Sequence, residues 1–181
     1  MFASGRGNRP VRDNEFRTVR GYELIKQQNS SNGLTPSMED YLEMIYRLSL
    51  LDGYVRVNTL AEMLHVQSPS VTRTVQKLAE LEQVKYHRYG IIQLTERGEE
   101  LGHYLLRRHE TVSLFLQNIG AGASQFVDTE LIEHHLSRRT VGQLEKLNDW
   151  FRQPGVRERF QQFAGDLDEG ACADQEPKQE R

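Results

Sequence analysis

Cysteine is nearly absent: Cys172 is the only one in 181 residues, and it stands in a polar C-terminal stretch. A lone thiol excludes an internal disulfide and every Cys-rich metal site, so zinc fingers, iron–sulfur clusters and disulfide scaffolds are ruled out and a reducing compartment is expected. Long apolar runs are missing too, and none approaches the roughly 18 to 20 residues that a membrane span requires. The N-terminus lacks the apolar core and cleavage site of a secretory signal, which makes a cytoplasmic protein with no membrane partner the expectation. Neither sign of charge dominates, since 23 Lys plus Arg stand against 26 Asp plus Glu for a net −3. A chain 37% hydrophobic and 27% charged can build a modest core in one ordinary domain or two small ones.

The charge is unevenly spread. Residues 1–33 hold Arg6, Arg9, Arg12, Arg17, Arg20 and Lys26 against Asp13, Glu15 and Glu23, a local +3, and end in Gln-Gln-Asn-Ser-Ser-Asn-Gly. This reads as a basic flexible arm. After Pro154-Gly155 large apolar residues thin out, and beyond a short helix at 156–163 the acidic end reads as disordered, giving a last segment of 155–181. Between these ends, apolar spacing places the elements. Tyr41, Leu42, Ile45, Leu48 and Leu51 recur at helical spacing from Pro36, with Asp52-Gly53 as the stop. Asn58 is the expected cap of a short helix at 59–64, and Ser68-Pro69 opens another carrying Val71, Val75, Leu78 and Leu81. Val84-Lys85-Tyr86 and Ile91–Leu94 flank a charged tip with a turn glycine, as a hairpin does. A long helix is expected from Thr95 to Asn118, then two more at 124–136 and 140–151.

Helix, turn, helix and hairpin in that order make a winged helix-turn-helix. Ala61 supplies the small residue that lets the second helix of the pair cross closely. With Val71, Val75 and Leu78 turned inward, Ser68, Ser70, Thr72, Arg73, Gln76 and Lys77 project outward as hydroxyls and long donors suited to phosphates and base edges in a major groove. Arg88 at the hairpin tip, with Lys85 nearby, extends that face. On any single helix such residues are an ordinary solvated face; it is the full order of elements that points to DNA. The expected organisation is a winged helix-turn-helix domain at 34–101 and an all-helical domain at 102–154, mostly α overall.

The second domain needs a task of its own. Glu130, Glu133 and His134 stand at i, i+3 and i+4 and share one helical face, as do Asp40 and Glu43 on the first helix. Such acid pairs repel when brought together unless a cation lies between them. His109 on the long helix adds a third source of ligands. Four carboxylates and two imidazoles with no thiolate suit Mn(II) or Fe(II), and four negative charges balance two divalent ions, so a binuclear site is favoured over a mononuclear one. His103 and His135 are not placed in it, and His65 and His87 belong to the turn and the wing.

The segments Thr35-Pro-Ser-Met-Glu-Asp-Tyr-Leu-Glu-Met-Ile-Tyr46, Ser68-Pro-Ser-Val-Thr-Arg-Thr-Val-Gln-Lys-Leu78, Arg107-Arg-His-Glu110 and Glu130-Leu-Ile-Glu-His-His-Leu-Ser137 resemble the diphtheria toxin repressor family, and within it the manganese transport regulators. The likeness covers about 35–151. It implies a homodimeric, metal-activated repressor that binds palindromic operator DNA, with manganese uptake genes as targets. It also implies that Asp40, Glu43, His109, Glu130, Glu133 and His134 are the metal ligands. The iron-responsive branch usually carries methionine at the place of Asp40 and cysteine at that of Glu130, so oxygen ligands at both favour Mn(II), with Fe(II) or another divalent ion as the alternative. Leu131 stands where relatives commonly have a small residue. Two other readings compete: a carboxylate-bridged di-metal oxidase, and a winged-helix regulator of some other ligand. The oxidase bundles carry Glu-x-x-His pairs, whereas His134 follows Glu130 by four and Glu133 by one; an enzyme with a small organic substrate is therefore not expected.

Overall fold

Helix α1, Pro36–Asp52, buries Met38, Tyr41, Leu42 and Ile45 along one stripe. It ends where Gly53 takes φ +74 and donates its N–H to the Ser49 carbonyl, a left-handed cap that glycine adopts without steric cost. This computed structural model describes residues 33–173, with side chains described through Gly165. The basic arm before residue 33 and the chain beyond 173 lie outside the described residues. The elements that follow belong, with α1, to one compact unit that begins at Pro36.

Strand β1 (Val55–Arg56) leads straight into α2 (Val57–Met63). That helix begins two residues before the expected start, and Asn58 is not its cap; the Asn58 Oδ1 instead accepts from Ser68 Oγ at 3.1 Å, joining α2 to the first turn of α3. Helix α3, Ser68–Glu80, turns Val71, Val75 and Leu78 inward as the spacing predicts. Strands β2 (Val84–His87) and β3 (Ile91–Leu94) pair antiparallel, with Tyr86 opposite Ile92 and His87 opposite Ile91. The sheet order is β1-β3-β2, so the wing has a third strand that the sequence reading missed. Two residues are too few to show alternation, and only the pairing of Val55 with Ile92 reveals β1.

The long helix α4 spans Glu96–Asn118, and its cap Thr95 accepts from the Gly98 N–H at 3.0 Å. Two of its glycines set the packing. A Cβ on Gly98 would lie 1.8 Å from the Gln83 carbonyl oxygen, and one on Gly102 would lie 2.6 Å from the Tyr46 Cβ. Gly102 thus lets α1 press against α4. The α1 residues that meet α4 descend in number (Tyr46 to Glu39) as the α4 residues ascend (Gly102 to Arg108), so the two helices run antiparallel.

The region expected as one helix at 124–136 is instead α5 (Gln125–Ile132) followed by a 3-10 turn, Glu133–His135. The α-helical face proposed for Glu130, Glu133 and His134 therefore breaks before Glu133. Tightening the last turn draws Glu133 and His134 into the interior, while Leu131 stays 63% exposed, so its size strains nothing. Helix α6, Arg138–Phe151, starts before the expected Thr140 because Ser137 caps it by accepting from the Thr140 N–H. Helix α7, Val156–Ala173, is longer than the eight residues expected. Its start is anchored by the buried Val156 and by Phe160, whose ring meets Phe151 edge-on at 5.4 Å. Among the described residues no helix is long and apolar enough to cross a membrane.

Candidate metal centre and nucleic-acid interface

Three elements converge on one buried cluster: the first turns of α1, the middle of α4 and the 3-10 turn after α5. Asp40, Glu133 and His134 place one ligand atom each within 4.8 Å of one another, and Glu43, His109 and Glu133 do the same. Glu133, only 1% exposed, belongs to both sets. Its Oε2 is buried without a hydrogen-bond partner, lies 3.5 Å from His109 Nδ1 and 3.8 Å from Arg108 Nε. An unpaired buried carboxylate oxygen is costly. A divalent cation satisfies it, and an all-oxygen-and-imidazole donor set suits a hard or borderline ion. The residues present therefore fit a metal.

The histidines show how strongly negative the cluster is. Burial pushes the His134 imidazole down, but its bonds to Asp40 and Glu39 outweigh that and raise its pKa to about 9; Nε2 lies 2.9 Å from Asp40 Oδ1. For His109 the neighbouring Glu133 carboxylate overrides burial and raises the pKa. Glu130 joins neither set of three. Its Oε1 lies 3.6 Å from His109 Nδ1, and burial, reinforced by the charge of Glu133, raises its carboxyl pKa.

Three participants escaped the sequence reading. Glu39, beside Asp40, accepts at Oε2 from His134 Nδ1 at 2.8 Å and from Arg108 Nη2 at 2.9 Å. Burial pushes its pKa up, but these two cationic partners prevail and hold it low. Arg108 is buried inside the cluster, whereas its neighbour Arg107 is exposed and pairs with Glu145 at 2.7 Å. Arg47, one helical turn after Glu43, donates to its Oε1 at 2.6 and 2.9 Å. The Arg-Arg-His-Glu step signals the histidine but cannot tell which arginine is inside. Of the histidines left out, His103 packs against the Tyr46 ring at 5.9 Å, His87 bonds Gln93, and His135 is exposed.

In the winged helix, Ser70, Arg73, Gln76 and Lys77 of α3 are exposed, and Ser68 and Thr72 are half-buried. The hydroxyls of Ser68 and Thr72 already donate within the protein, to Asn58 and to the Ser68 carbonyl. Lys85 and Arg88 are exposed on the wing. Tyr89 at its tip is 91% exposed with φ 64, a conformation uncommon for an aromatic residue. Among the described residues no ion pair engages Arg73, Lys77, Lys85 or Arg88, so their charges are available to a polyanion.

Residues 33–92 match the iron dependent repressor N-terminal DNA binding domain, and residues 95–154 match the iron dependent repressor metal binding and dimerisation domain. Solved structures similar to the chain include that of the manganese regulator SloR, at 31% identity and TM-score 0.56, covering 65% of this chain and 55% of that one. ScaR with bound Zn2+ is 28% identical with TM-score 0.52, covering 62% and 54%. IdeR of T. acidophilum is 24% identical with TM-score 0.53, covering 60% and 52%, a likeness of fold alone. In each case the match spans about half of the relative's length. A winged helix joined through α1 and α4 to a buried carboxylate and imidazole cluster agrees with both matched domains, and the chain belongs to the iron-dependent repressor family, that of the diphtheria toxin repressor.

Proposed function

We propose that this protein is a Mn(II)-activated homodimeric transcriptional repressor that binds palindromic operator DNA, with manganese uptake genes as its targets. The observation that carries the reading is the sharing of Glu133 by two sets of three ligands, which suits two ions per protomer. Asp40, Glu133 and His134 would hold one ion, Glu43, His109 and Glu133 the other, and Glu130 at the rim would complete the second. Bound metal would supply the positive charge that the clustered carboxylates otherwise lack. Oxygen donors at Asp40 and Glu130 favour Mn(II), as does the likeness to a manganese regulator; Fe(II) and other divalent ions remain compatible with the same donors.

The coupling to DNA runs through α1. This helix carries Asp40 and Glu43 and also packs on α3 and β3 of the winged helix. Fastening its first turns to α4 and to Glu133–His135 would fix the recognition helix relative to the dimer core, so that two copies of α3 meet successive major grooves. Ser68, Ser70, Thr72, Arg73, Gln76 and Lys77 would read the groove, while Lys85 and Arg88 would hold the backbone. A shift of a few kcal/mol between conformations is enough to switch occupancy. Phe126, Val127 and Leu131 of α5 leave an exposed apolar patch of the kind that a second protomer covers.

Calorimetric titration of metal-free protein with Mn(II) tests the reading. Two ions per protomer, lost in Glu133→Gln together with metal-dependent DNA binding, is the expected result. An absence of saturable binding would reduce the carboxylates to a solvated cluster and leave the signal unassigned.

A further inference from the structure

His134 can offer a metal only one of its ring nitrogens, and the structure holds a device that selects which. Nδ1 lies 2.8 Å from Glu39 Oε2, and Arg108 Nη2 lies 2.9 Å from the same oxygen and 3.0 Å from Nδ1. A guanidinium only donates. Were Nδ1 unprotonated and accepting from Arg108, its lone pair would face a carboxylate oxygen at contact distance. With the proton on Nδ1, both donors converge on Glu39 Oε2 and the arrangement is satisfied. Nε2, on the side of Asp40 and Glu133, is then the nitrogen free to ligate.

Arg108 serves a second ligand as well. It is 4% exposed, and its Nε has no hydrogen-bond partner while lying 3.8 Å from the equally unpartnered Oε2 of Glu133. One guanidinium thus spans the carboxylate that orients His134 and the carboxylate common to both ligand sets. Its charge and that of Glu39 cancel, so the pair shapes the site without changing its net charge. Arg47 differs in this respect, because it is neutralised by Glu43, itself a ligand of the second set.

We propose that Glu39 and Arg108 form a positioning pair for the metal centre, Glu39 setting the tautomer and angle of His134, and Arg108 holding Glu39 and Glu133 in register. The proposal rests on the reading of Asp40, Glu133 and His134 as an ion site. Carboxylates behind metal-bound histidines are worth roughly 10- to 100-fold in affinity. Glu39→Ala should therefore weaken one of the two Mn(II) binding events about 10- to 100-fold and affect the other far less. Glu39→Gln should recover part of that loss, since its amide oxygen can still accept from Nδ1.

Calorimetry with Mn(II) on full-length protein, paired with thermal melting of the metal-free variants, makes the test. The proposal stands if affinity falls in the order wild type, Glu39→Gln, Glu39→Ala at one event only, while the metal-free melting temperatures stay close to wild type. It is overturned if Glu39→Ala binds both ions like wild type, or if both events weaken equally with Glu39→Gln no better than Glu39→Ala. Wild-type protein that binds no Mn(II) would instead remove the metal reading itself, a result that the wild-type titration alone shows.

Discussion

The exposed face of α3 and the carboxylate–histidine cluster are built in opposite ways. On α3 the side chains proposed to meet DNA come from one helix, are largely exposed, and bond locally, as Thr72 does to Ser68, or to the neighbouring helix, as Ser68 does to Asn58. In the carboxylate–histidine cluster the side chains come from α1, α4 and a 3-10 turn, with Glu39 and His134 95 positions apart, and the central ones are buried. An exposed face tolerates substitution because water replaces whatever is removed. A buried cluster of like charges survives only while every partner is present. The contrast separates a surface that can be edited residue by residue from a centre that responds as a unit.

The largest effect should follow Glu133→Gln, which removes the carboxylate common to both ligand sets. Metal binding and metal-dependent DNA binding should both be lost, whereas Arg73→Ala with Lys77→Ala should leave Mn(II) binding intact. Calorimetry beside DNA-binding anisotropy checks this, and loss of metal binding in the α3 variant would break the comparison.

Acid should act on the cluster next most strongly. With the His134 pKa raised to about 9, a metal ion must displace a proton from the ring at neutral pH. Mn(II) affinity should thus climb from pH 6.5 to 9, by at most about tenfold per unit for one proton exchanged. The metal-free fold should move the other way. A raised folded pKa stabilises fully below the unfolded value near 6.5 and ceases to do so as pH passes 9, so its melting temperature should fall across that window. A flat affinity profile would mean that His134 is not a ligand.

Gly98→Ala places a methyl against the Gln83 carbonyl and should destabilise the junction of wing and α4 by about 1–3 kcal/mol. Denaturant unfolding measures it, and an unaffected midpoint would show that the wing base can shift freely.

Arg73→Ala and Lys77→Ala should each lower the salt dependence of DNA binding by about one unit where the side chain meets a phosphate. A loss confined to one DNA sequence would assign the residue to a base edge instead. The smallest effect is expected from Thr95→Ala, which removes the capping bond from the Gly98 N–H and the bond that the hydroxyl donates to the Glu82 carbonyl at 2.6 Å at a cost of about 1–2 kcal/mol; a change in Mn(II) affinity in that variant would show that the α4 start and the carboxylate–histidine cluster are coupled.

Much of this was legible beforehand for a local reason. Apolar spacing, the cap Thr95 and the Ser68-Pro69 helix start are short-range signals, so α1, α3, α4 and the hairpin fell within a residue or two of expectation. Where local signals ran out, so did the reading. Strand β1 is too short to alternate, and its existence depends on Ile91 and Ile92 from a distant segment. The helical period places Glu130, Glu133 and His134 on one face, yet the chain tightens at Glu133, and Glu130 stands outside both sets of three. Helix α7 went unread past Phe163 because low apolar content argues against a packed helix, not against one extended from a packed start.

The sequence alone determined the kinds of donor available, the order of winged helix before helical region, and which residues face outward on α3, since these depend on composition and on a period of a few residues. Tertiary structure decided which donors meet. Gly102 brings α1 close to α4, and this crossing makes Glu39 a partner of His134, buries Arg108 rather than Arg107, and makes Glu133 common to two ligand sets. Burial and distance depend on the approach of segments far apart in the chain, and a spacing rule reaches only one or two helical turns.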